Sequence, residues 1–250
     1  MFNSKDIWIK RICVEGTSWP EDDPVLIQQW IKELDGEDLL NNLGNFRKNF
    51  SIIPRFLIFP DISSPEIVVA TVSIEGEIER EVLTVSVNQI KNTIKDRSGG
   101  PLWIGEKGLY FGSSMLECVL SKTDTPWPGD IDYILFQQNN PRPYVILEMK
   151  KHTLNSEIQT QKLSNYYPSQ DRKKYDRLSL FAHYFSPEVP ILNIYYLTNP
   201  KVTEIKVERI MGQQNRLQSG QSITITLPKN DNDRPRFLNE LMSCIKILKN

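Results

Sequence analysis

Two segments near the middle of the chain alternate apolar positions with polar or charged ones. Residues 128–136 and 144–150 are rich in β-branched, aromatic and aliphatic side chains, a composition that favours strands. Residues 137–143, between them, consist of Gln, Asn, Pro and Arg, which is typical of a turn. The pattern therefore predicts a β-hairpin.

Ionisable side chains gather on one face of this predicted hairpin. Because side chains alternate between the two faces of a strand, Asp130 and Asp132 share one face of the first strand. Glu148 and Lys150 share one face of the second strand for the same reason. We expect a register that places Asp132 opposite Glu148. Asp130 then lies opposite Lys150, and all four side chains lie on the same side.

The other face of the predicted hairpin is apolar. Pairing of Phe136 with Tyr144 gives the expected register, and a shift by one residue would move every side chain to the opposite face. The alternative is an amphipathic hairpin with its charged face in solvent. The apolar sequence around Glu148 favours instead a central strand covered on both faces. The positions expected in the core are Ile131, Tyr133, Leu135, Val145, Leu147 and Met149.

The clustered carboxylates predict a cation site. Several acids beside one lysine repel each other strongly in a partly dehydrated site. A hard divalent cation with oxygen ligands removes that repulsion. Glu117, on a predicted helix, adds a further acid that precedes the acids of the hairpin in the chain.

These segments resemble the motif of the PD-(D/E)xK nuclease superfamily. The resemblance rests on an acid on a helix, on Pro-Gly-Asp-Ile-Asp at 128–132 and on Glu-Met-Lys at 148–150. It implies an α/β fold with a restriction-endonuclease-like core. In such a core the elements follow the order α-β-β-α-β along the chain, and helices flank a mixed sheet. It also implies one or two bound Mg²⁺ ions, with Mn²⁺ as a substitute.

The resemblance also assigns roles to individual residues. Asp132 and Glu148 would be metal ligands, Met149 would offer its carbonyl oxygen, and Lys150 would be the motif lysine. Glu117 would be the helix carboxylate. A Pro-x-Asp form of the motif selects Asp130 instead of Asp132, whereas the expected register favours Asp132. Such a metal acidifies water and neutralises charge on the phosphate, while the lysine orients that water.

Basic residues collect just after the motif. They outnumber acidic residues between 148 and 177, although the formal net charge of the whole chain is −1. Residues 171–185 have apolar positions at helical spacing, which predicts a helix, and residues 156–167 are expected to form a shorter one. An ordinary solvated helix face competes with phosphate binding as an explanation of the charge. The candidate nucleic-acid contacts are Lys151, His152, Gln161, Arg172, Lys173 and Lys174.

Further elements are predicted on both sides of this core. Asp23 and Pro24 indicate the start of a helix that runs to Leu34 or Leu43. The expected strands cover residues 67–74, 78–87, 191–197 and 222–227, and a last helix covers residues 237–248. The turn-rich stretch 97–101 is the best boundary signal. We therefore expect an N-terminal α+β region at 1–98, a nuclease-like core at 99–200, and a C-terminal strand and helix extension at 201–250.

Composition narrows the class of protein. The chain has 250 residues, 39% of them hydrophobic, which can bury a substantial core. We find no apolar stretch of the roughly 18–20 residues that cross a bilayer and no secretory signal, so we expect a cytoplasmic protein without membrane contact. The three cysteines, Cys13, Cys118 and Cys244, have neither disulfide nor zinc spacing.

The sequence thus predicts a metal-dependent endonuclease that hydrolyses phosphodiester bonds in DNA, in restriction and defence or in DNA processing. Cleavage of double-stranded DNA needs two active sites, so a homodimer is expected. One alternative is an RNase or a branched-DNA (Holliday junction) resolvase, because the site acts on phosphate rather than on a base. Another is a non-catalytic nucleic-acid-binding module with the nuclease fold.

Overall fold

The protein is of the α/β class, and its described residues form two sheets with flanking helices. A computed structural model describes residues 6–13, 22–61, 63–97, 131–137, 140–152, 156–167, 171–197 and 202–249. The chain forms two compact units, Met1–Pro128 and Gly129–Asn250. None of the helices in the described ranges has the length and hydropathy needed to cross a membrane.

The first unit contains a four-stranded sheet of order β1-β2-β3-β4. Its elements are β1 (Asp6–Ile12), α1 (Pro24–Asp35), α2 (Glu37–Phe50), β2 (Ile53–Phe59), β3 (Glu66–Thr71), β4 (Leu83–Ser86) and α3 (Val87–Arg97). The β1–β2 pair is parallel and the other pairs are antiparallel. Helices α1 and α2 pack on one face of the sheet, and α3 packs on the other.

The start of α1 confirms the predicted cap. The carboxylate of Asp23 accepts hydrogen bonds from the backbone N–H groups of Val25 and Leu26. Gly36, with φ of +89°, separates α1 from α2. The strand predicted at 67–74 ends at Thr71, and the strand predicted at 78–87 covers only Leu83–Ser86. Helix α3, which begins at Val87, sets the end of the second strand.

The second unit contains a five-stranded mixed sheet of order β5-β6-β7-β8-β9. Its elements are β5 (Tyr133–Phe136), β6 (Pro143–His152), α4 (Arg172–His183), β7 (Ile191–Leu197), β8 (Glu204–Met211), β9 (Gln218–Thr226) and α5 (Arg234–Lys249). The β6–β7 pair is parallel, and the others are antiparallel. The C-terminal stretch predicted at 201–250 joins this sheet as β8 and β9 and covers one face of it with α5.

The predicted hairpin and most of its register are confirmed. Tyr133 pairs with Leu147, and a bulge then places Phe136 opposite Pro143. The expected Phe136–Tyr144 pair is therefore wrong, although the register upstream of the bulge is the predicted one. Tyr133 is 56% exposed rather than buried, because β5 lies at the edge of the sheet formed by the described strands.

The connection between β6 and β7 corrects a second prediction. Residues 156–167 do not form a continuous short helix but two 3₁₀ turns, Ile158–Thr160 and Leu163–Asn165. Helix α4 follows, close to its predicted bounds, and buries Tyr175, Leu178 and Ala182. This connection carries the chain back to the start of β7, parallel to β6.

The two faces of the second sheet differ in chemistry. Alternate residues of β6, β7 and β8 form an apolar core with α5, which includes Val145, Leu192, Val207 and Ile245. The intervening residues of the same strands lie on the opposite face, where α4 contributes Tyr175. Polar and charged side chains are buried on that face, and they include the predicted site.

Candidate active site

Strand β6 places Glu148 and Lys150 on one buried face. Glu148 is 1% exposed and Lys150 is 8% exposed, because α4 and the connection before it cover this face of β6. The Nζ atom of Lys150 lies 3.0 Å from Oε1 of Glu148. Two groups that alternation placed on one face of a strand are therefore in direct contact.

Asp132 lies immediately before β5 and joins these two residues. Its Oδ2 atom accepts a hydrogen bond from the backbone N–H of Met149 at 2.6 Å. Extension of the Tyr133–Leu147 register by one residue places Asp132 opposite Glu148. The side chain of Met149 points to the other face and packs against the apolar core. The structure thus brings together Asp132, Glu148 and Lys150, as the sequence predicted.

Helix α4 adds two charged side chains to the same cluster. The Oδ2 atom of Asp171, just before the helix, lies 2.7 Å from Nζ of Lys150. Nζ of Lys174, in the first turn, lies 2.5 Å from Oε1 of Glu148. Lys150 therefore bridges two carboxylates, and Glu148 holds two lysines. Lys174 was predicted only as a nucleic-acid contact, and Asp171 was not predicted, although the two residues lie about one turn apart on the predicted helix.

Two tyrosine rings lie beside the ammonium group of Lys150. Nζ lies 5.4 Å from the ring centroid of Tyr166 and 5.1 Å from that of Tyr175. These distances allow a cation–π interaction with each ring. Burial raises the pKa of both phenols above the ordinary value, so both rings are neutral. The aromatic rings and the carboxylates together fix the position of Lys150.

Burial dominates the electrostatics of Glu148. It raises the pKa of this carboxyl to about 7, while Lys174 and Lys150 act in the opposite direction and Asp132 adds to the increase. The Oε2 atom of Glu148 is buried and has no hydrogen-bond partner among the described residues. A buried oxygen acceptor in this condition is destabilising unless another group binds it.

The donor set suits a divalent cation. Asp132 and Glu148 offer carboxylate oxygens, which are the ligands of hard cations, and Oε2 of Glu148 is available. Within the described ranges, no group of three or more His, Cys, Asp or Glu side chains could hold a metal ion. Two other predicted ligands, Glu117 and Asp130, lie outside those ranges.

The buried polar face continues across β7 and β8. Register places Glu148, Asn193 and Glu208 in one row, and Lys150, Tyr195 and Lys206 in the next. Hydrogen bonds run from the Tyr175 hydroxyl to Oδ1 of Asn193 (2.9 Å), and from Nδ2 of Asn193 to the Tyr195 oxygen (2.9 Å). The Tyr195 hydroxyl donates in turn to Oε2 of Glu208 (2.6 Å).

Lys206 and Glu208 were not predicted as site residues, because no strand was predicted at the position of β8. The signal was present in the alternation of Glu204, Lys206 and Glu208 with Ile205 and Val207. Such a pattern normally indicates a strand with one solvated face. Here that face is covered.

The remaining predicted contacts occupy different environments. Lys151, Arg172 and Lys173 are exposed, and Arg172 donates a hydrogen bond to Asn215. Nε2 of His152 lies 2.5 Å from the Ser156 hydroxyl. Gln161 is buried, and its side-chain oxygen accepts a hydrogen bond from Tyr166.

No protein-family model, curated protein or solved structure matches this chain. What the site can do therefore follows from its own geometry. That geometry is a buried glutamate shared by two lysines, beside a second carboxylate that is tied to the backbone of the same strand.

Proposed function

We propose that the chain is a metal-dependent endonuclease with a restriction-endonuclease-like core, which hydrolyses phosphodiester bonds in DNA. One observation carries the proposal. The carboxylates of Asp132 and Glu148 and the ammonium group of Lys150 lie together on the β5–β6 hairpin. A buried oxygen of Glu148 has no hydrogen-bond partner in the described ranges, which favours a cation as its missing partner.

In this proposal Asp132 and Glu148 would hold Mg²⁺, or Mn²⁺ in its place, with the carbonyl oxygen of Met149 as a further ligand. Glu117 and Asp130 would complete the acidic set. A metal held there would lower the pKa of a water molecule and neutralise charge on the phosphate. Asp132 has one oxygen fixed by the Met149 N–H group, so its carboxylate is oriented before a cation arrives.

Lys150 acts on the phosphate and on the attacking water. Its contacts with Glu148 and Asp171 hold the ammonium at a fixed point, which limits the reorganisation needed in the transition state. A lysine ammonium is compact and carries three donors, so it can bind a carboxylate and a phosphate oxygen at once.

Basic side chains near the site support contact with a nucleic-acid backbone. Arg172 and Lys173 lie in the first turn of α4, where the helix N-terminus also favours a phosphate. Lys151 and His152 lie at the end of β6. We propose double-stranded DNA as the substrate, a homodimer as the form that cuts both strands, and the cytoplasm as its location, in DNA defence or processing.

The test is a cleavage assay with wild type and two variants, Lys150→Ala and Lys246→Ala. Lys246 is exposed on α5 and is the matched control. Linear duplex DNA, supercoiled plasmid, branched DNA, single-stranded DNA and RNA are each incubated with Mg²⁺, Mn²⁺ or a chelator. Loss of a transition-state partner costs about 3–4 kcal/mol, so Lys150→Ala should cleave orders of magnitude more slowly. Lys246→Ala should match the wild type.

Each outcome identifies one function. Metal-dependent duplex cleavage that needs Lys150 supports the endonuclease. Cleavage of RNA alone or of branched DNA alone supports the alternative substrates. Unchanged cleavage by folded Lys150→Ala protein contradicts the proposed mechanism, and binding without cleavage of any substrate favours a non-catalytic module.

A further inference from the structure

Two further charged side chains are buried on the same face of the sheet, on β8. Lys206 is 7% exposed and Glu208 is 2% exposed. Within the described part of the chain neither forms an ion pair. Burial of a charge without a counter-ion is costly unless polar groups replace the lost water. The hydrogen-bond partners of Lys206 and Glu208 therefore show which part of the chain these two side chains keep in place.

Lys206 binds the backbone of the connection that follows β6. Its Nζ atom donates to the carbonyl oxygens of Gln161 (2.5 Å) and Gln159 (3.2 Å). The same ammonium lies 5.9 Å from the ring centroid of Tyr195. Both carbonyls belong to residues 159–163, which we call the clamped segment.

Glu208 binds the other end of the clamped segment. Its Oε2 atom accepts hydrogen bonds from the backbone N–H of Leu163 (2.9 Å) and from the Tyr195 hydroxyl (2.6 Å). Two side chains separated by one residue on β8 therefore fix both ends of a short stretch that contains parts of two 3₁₀ turns but no α-helix. Hydrogen bonds to charged groups are stronger than neutral ones, which suits a stretch with little secondary structure of its own.

The clamped segment leads directly to Lys150. The side-chain oxygen of Gln161 accepts a hydrogen bond from the Tyr166 hydroxyl at 3.1 Å. The ring of Tyr166 stacks on that of Tyr195, with centroids 5.9 Å apart, and lies beside the Lys150 ammonium. The backbone carbonyl of Tyr166 also accepts a hydrogen bond from the N–H of Asp171, whose carboxylate pairs with Lys150.

We propose that Lys206 and Glu208 are positioning residues for Lys150. They hold the clamped segment on the sheet, so that Tyr166 and Asp171 keep the Lys150 ammonium beside Glu148. The consequence for catalysis rests on the proposed function, whereas the positioning of Lys150 does not. Lys206 and Glu208 lie on a strand two positions from β6 and have no role in the metal or phosphate chemistry proposed above.

The first test compares wild type with Lys206→Met, using the full chain without nucleic acid. Methionine fills similar volume but cannot donate to the two carbonyls. Amide hydrogen exchange should become at least about tenfold faster in the peptide that covers residues 158–167. Acylation of Lys150, followed by mass spectrometry over a range of pH, should also become faster. Lys246→Met, an exposed lysine of α5, is the matched control and should change neither measurement.

Variants of Glu208 test whether hydrogen bonding carries the effect. Glu208→Gln keeps an oxygen that can accept from Leu163 and Tyr195, so exchange and Lys150 acylation should stay near wild type. Glu208→Met removes the acceptor and should reproduce the effect of Lys206→Met. This pair decides the matter if Lys206→Met does not fold.

Two results would overturn the proposal. One is unchanged exchange at 158–167 and unchanged Lys150 acylation in folded Lys206→Met and Glu208→Met. The other is exchange that rises equally across the whole second unit, which indicates general loss of stability. The exchange and acylation results could be as expected while the wild type cleaves no substrate. That combination would reject the proposed nuclease function and support the positioning of Lys150.

Discussion

The carboxylate of Asp132 accepts a hydrogen bond from the backbone N–H of Met149, the residue between Glu148 and Lys150. An acid that precedes β5 is thus positioned by the backbone of its neighbour, β6. The bond uses one carboxylate oxygen for structure. The other oxygen and the negative charge are therefore the parts of Asp132 that a cation would use.

Asp132→Asn should keep the fold and lose cation binding. The amide oxygen of asparagine can still accept from Met149, but the charge is gone. A ligand at about 100 times its Kd stabilises a protein by about 3 kcal/mol, so Mg²⁺ or Ca²⁺ should raise the Tm of the wild type and not of the variant. Asp231→Asn, in which the carboxylate is 86% exposed, is the control. Equal shifts in wild type and Asp132→Asn would show that Asp132 is not a ligand.

The raised pKa of Glu148 predicts a stability that depends on pH. A carboxyl whose pKa rises from 4.5 to about 7 on folding stabilises the native state when protonated. That contribution is fully present below pH 4.5 and is lost as the pH rises through 7, a change of about 3 kcal/mol. Urea unfolding of wild type and Glu148→Gln should show wild type losing this much relative to the variant between pH 4.5 and 8. A difference in unfolding free energy between the two proteins that does not change with pH would contradict the raised pKa of Glu148.

Much of the site could be predicted because strand alternation is a local property. Alternation alone placed Glu148 and Lys150 on one face, and turn residues at 137–143 gave a hairpin whose register brings Asp132 to them. The bulge at Phe136 was not visible, since its cause lies in how the strand end meets the turn. The exposure of Tyr133 was missed as well, because sequence does not show which strand forms the edge of a sheet.

Lys174, which contacts the buried Glu148, should contribute more to stability than Lys173, its exposed neighbour on the same helix. Lys174→Ala leaves the buried carboxylate with Lys150 alone, which should cost about 2 kcal/mol at pH 8. Lys173→Ala changes an exposed side chain of the same helix and should stay within about 0.5 kcal/mol of wild type. Denaturant unfolding measures both. Equal effects of the two substitutions would mean that the Lys174–Glu148 contact is not stabilising.

Tyr195→Phe should reveal the strength of the buried network. The substitution removes the hydroxyl that accepts from Asn193 and donates to Glu208. Both partners then lack a buried hydrogen bond, and we expect a loss of about 2 kcal/mol. Tyr133→Phe alters an exposed phenol and should be nearly neutral in the same unfolding measurement. A neutral Tyr195→Phe would place the stabilisation of Glu208 in its bond with Leu163.

Long-range contacts explain what the sequence did not reveal. Asp171 reaches Lys150, and Lys206 reaches Gln161, only because α4 and the connection before it lie over the sheet face that carries the two lysines. A pattern of charged residues on a strand predicts a solvated face, and the pattern carries no information about a covering segment. The buried role of Gln161 escaped prediction for the same reason.

The strand order of the second sheet also affects how the protein is made. Strands β5 and β6 are neighbours in the chain and can pair early through local contacts, whereas β7, β8 and β9 are added later. Until then, Glu148 and Lys150 remain hydrated on an open hairpin. During synthesis on a ribosome, β6 emerges before β8. Glu148 and Lys150 would then be present without the contacts through which β8 fixes their surroundings. The surroundings of Glu148 and Lys150 would be complete only after β8 has emerged and paired with β7.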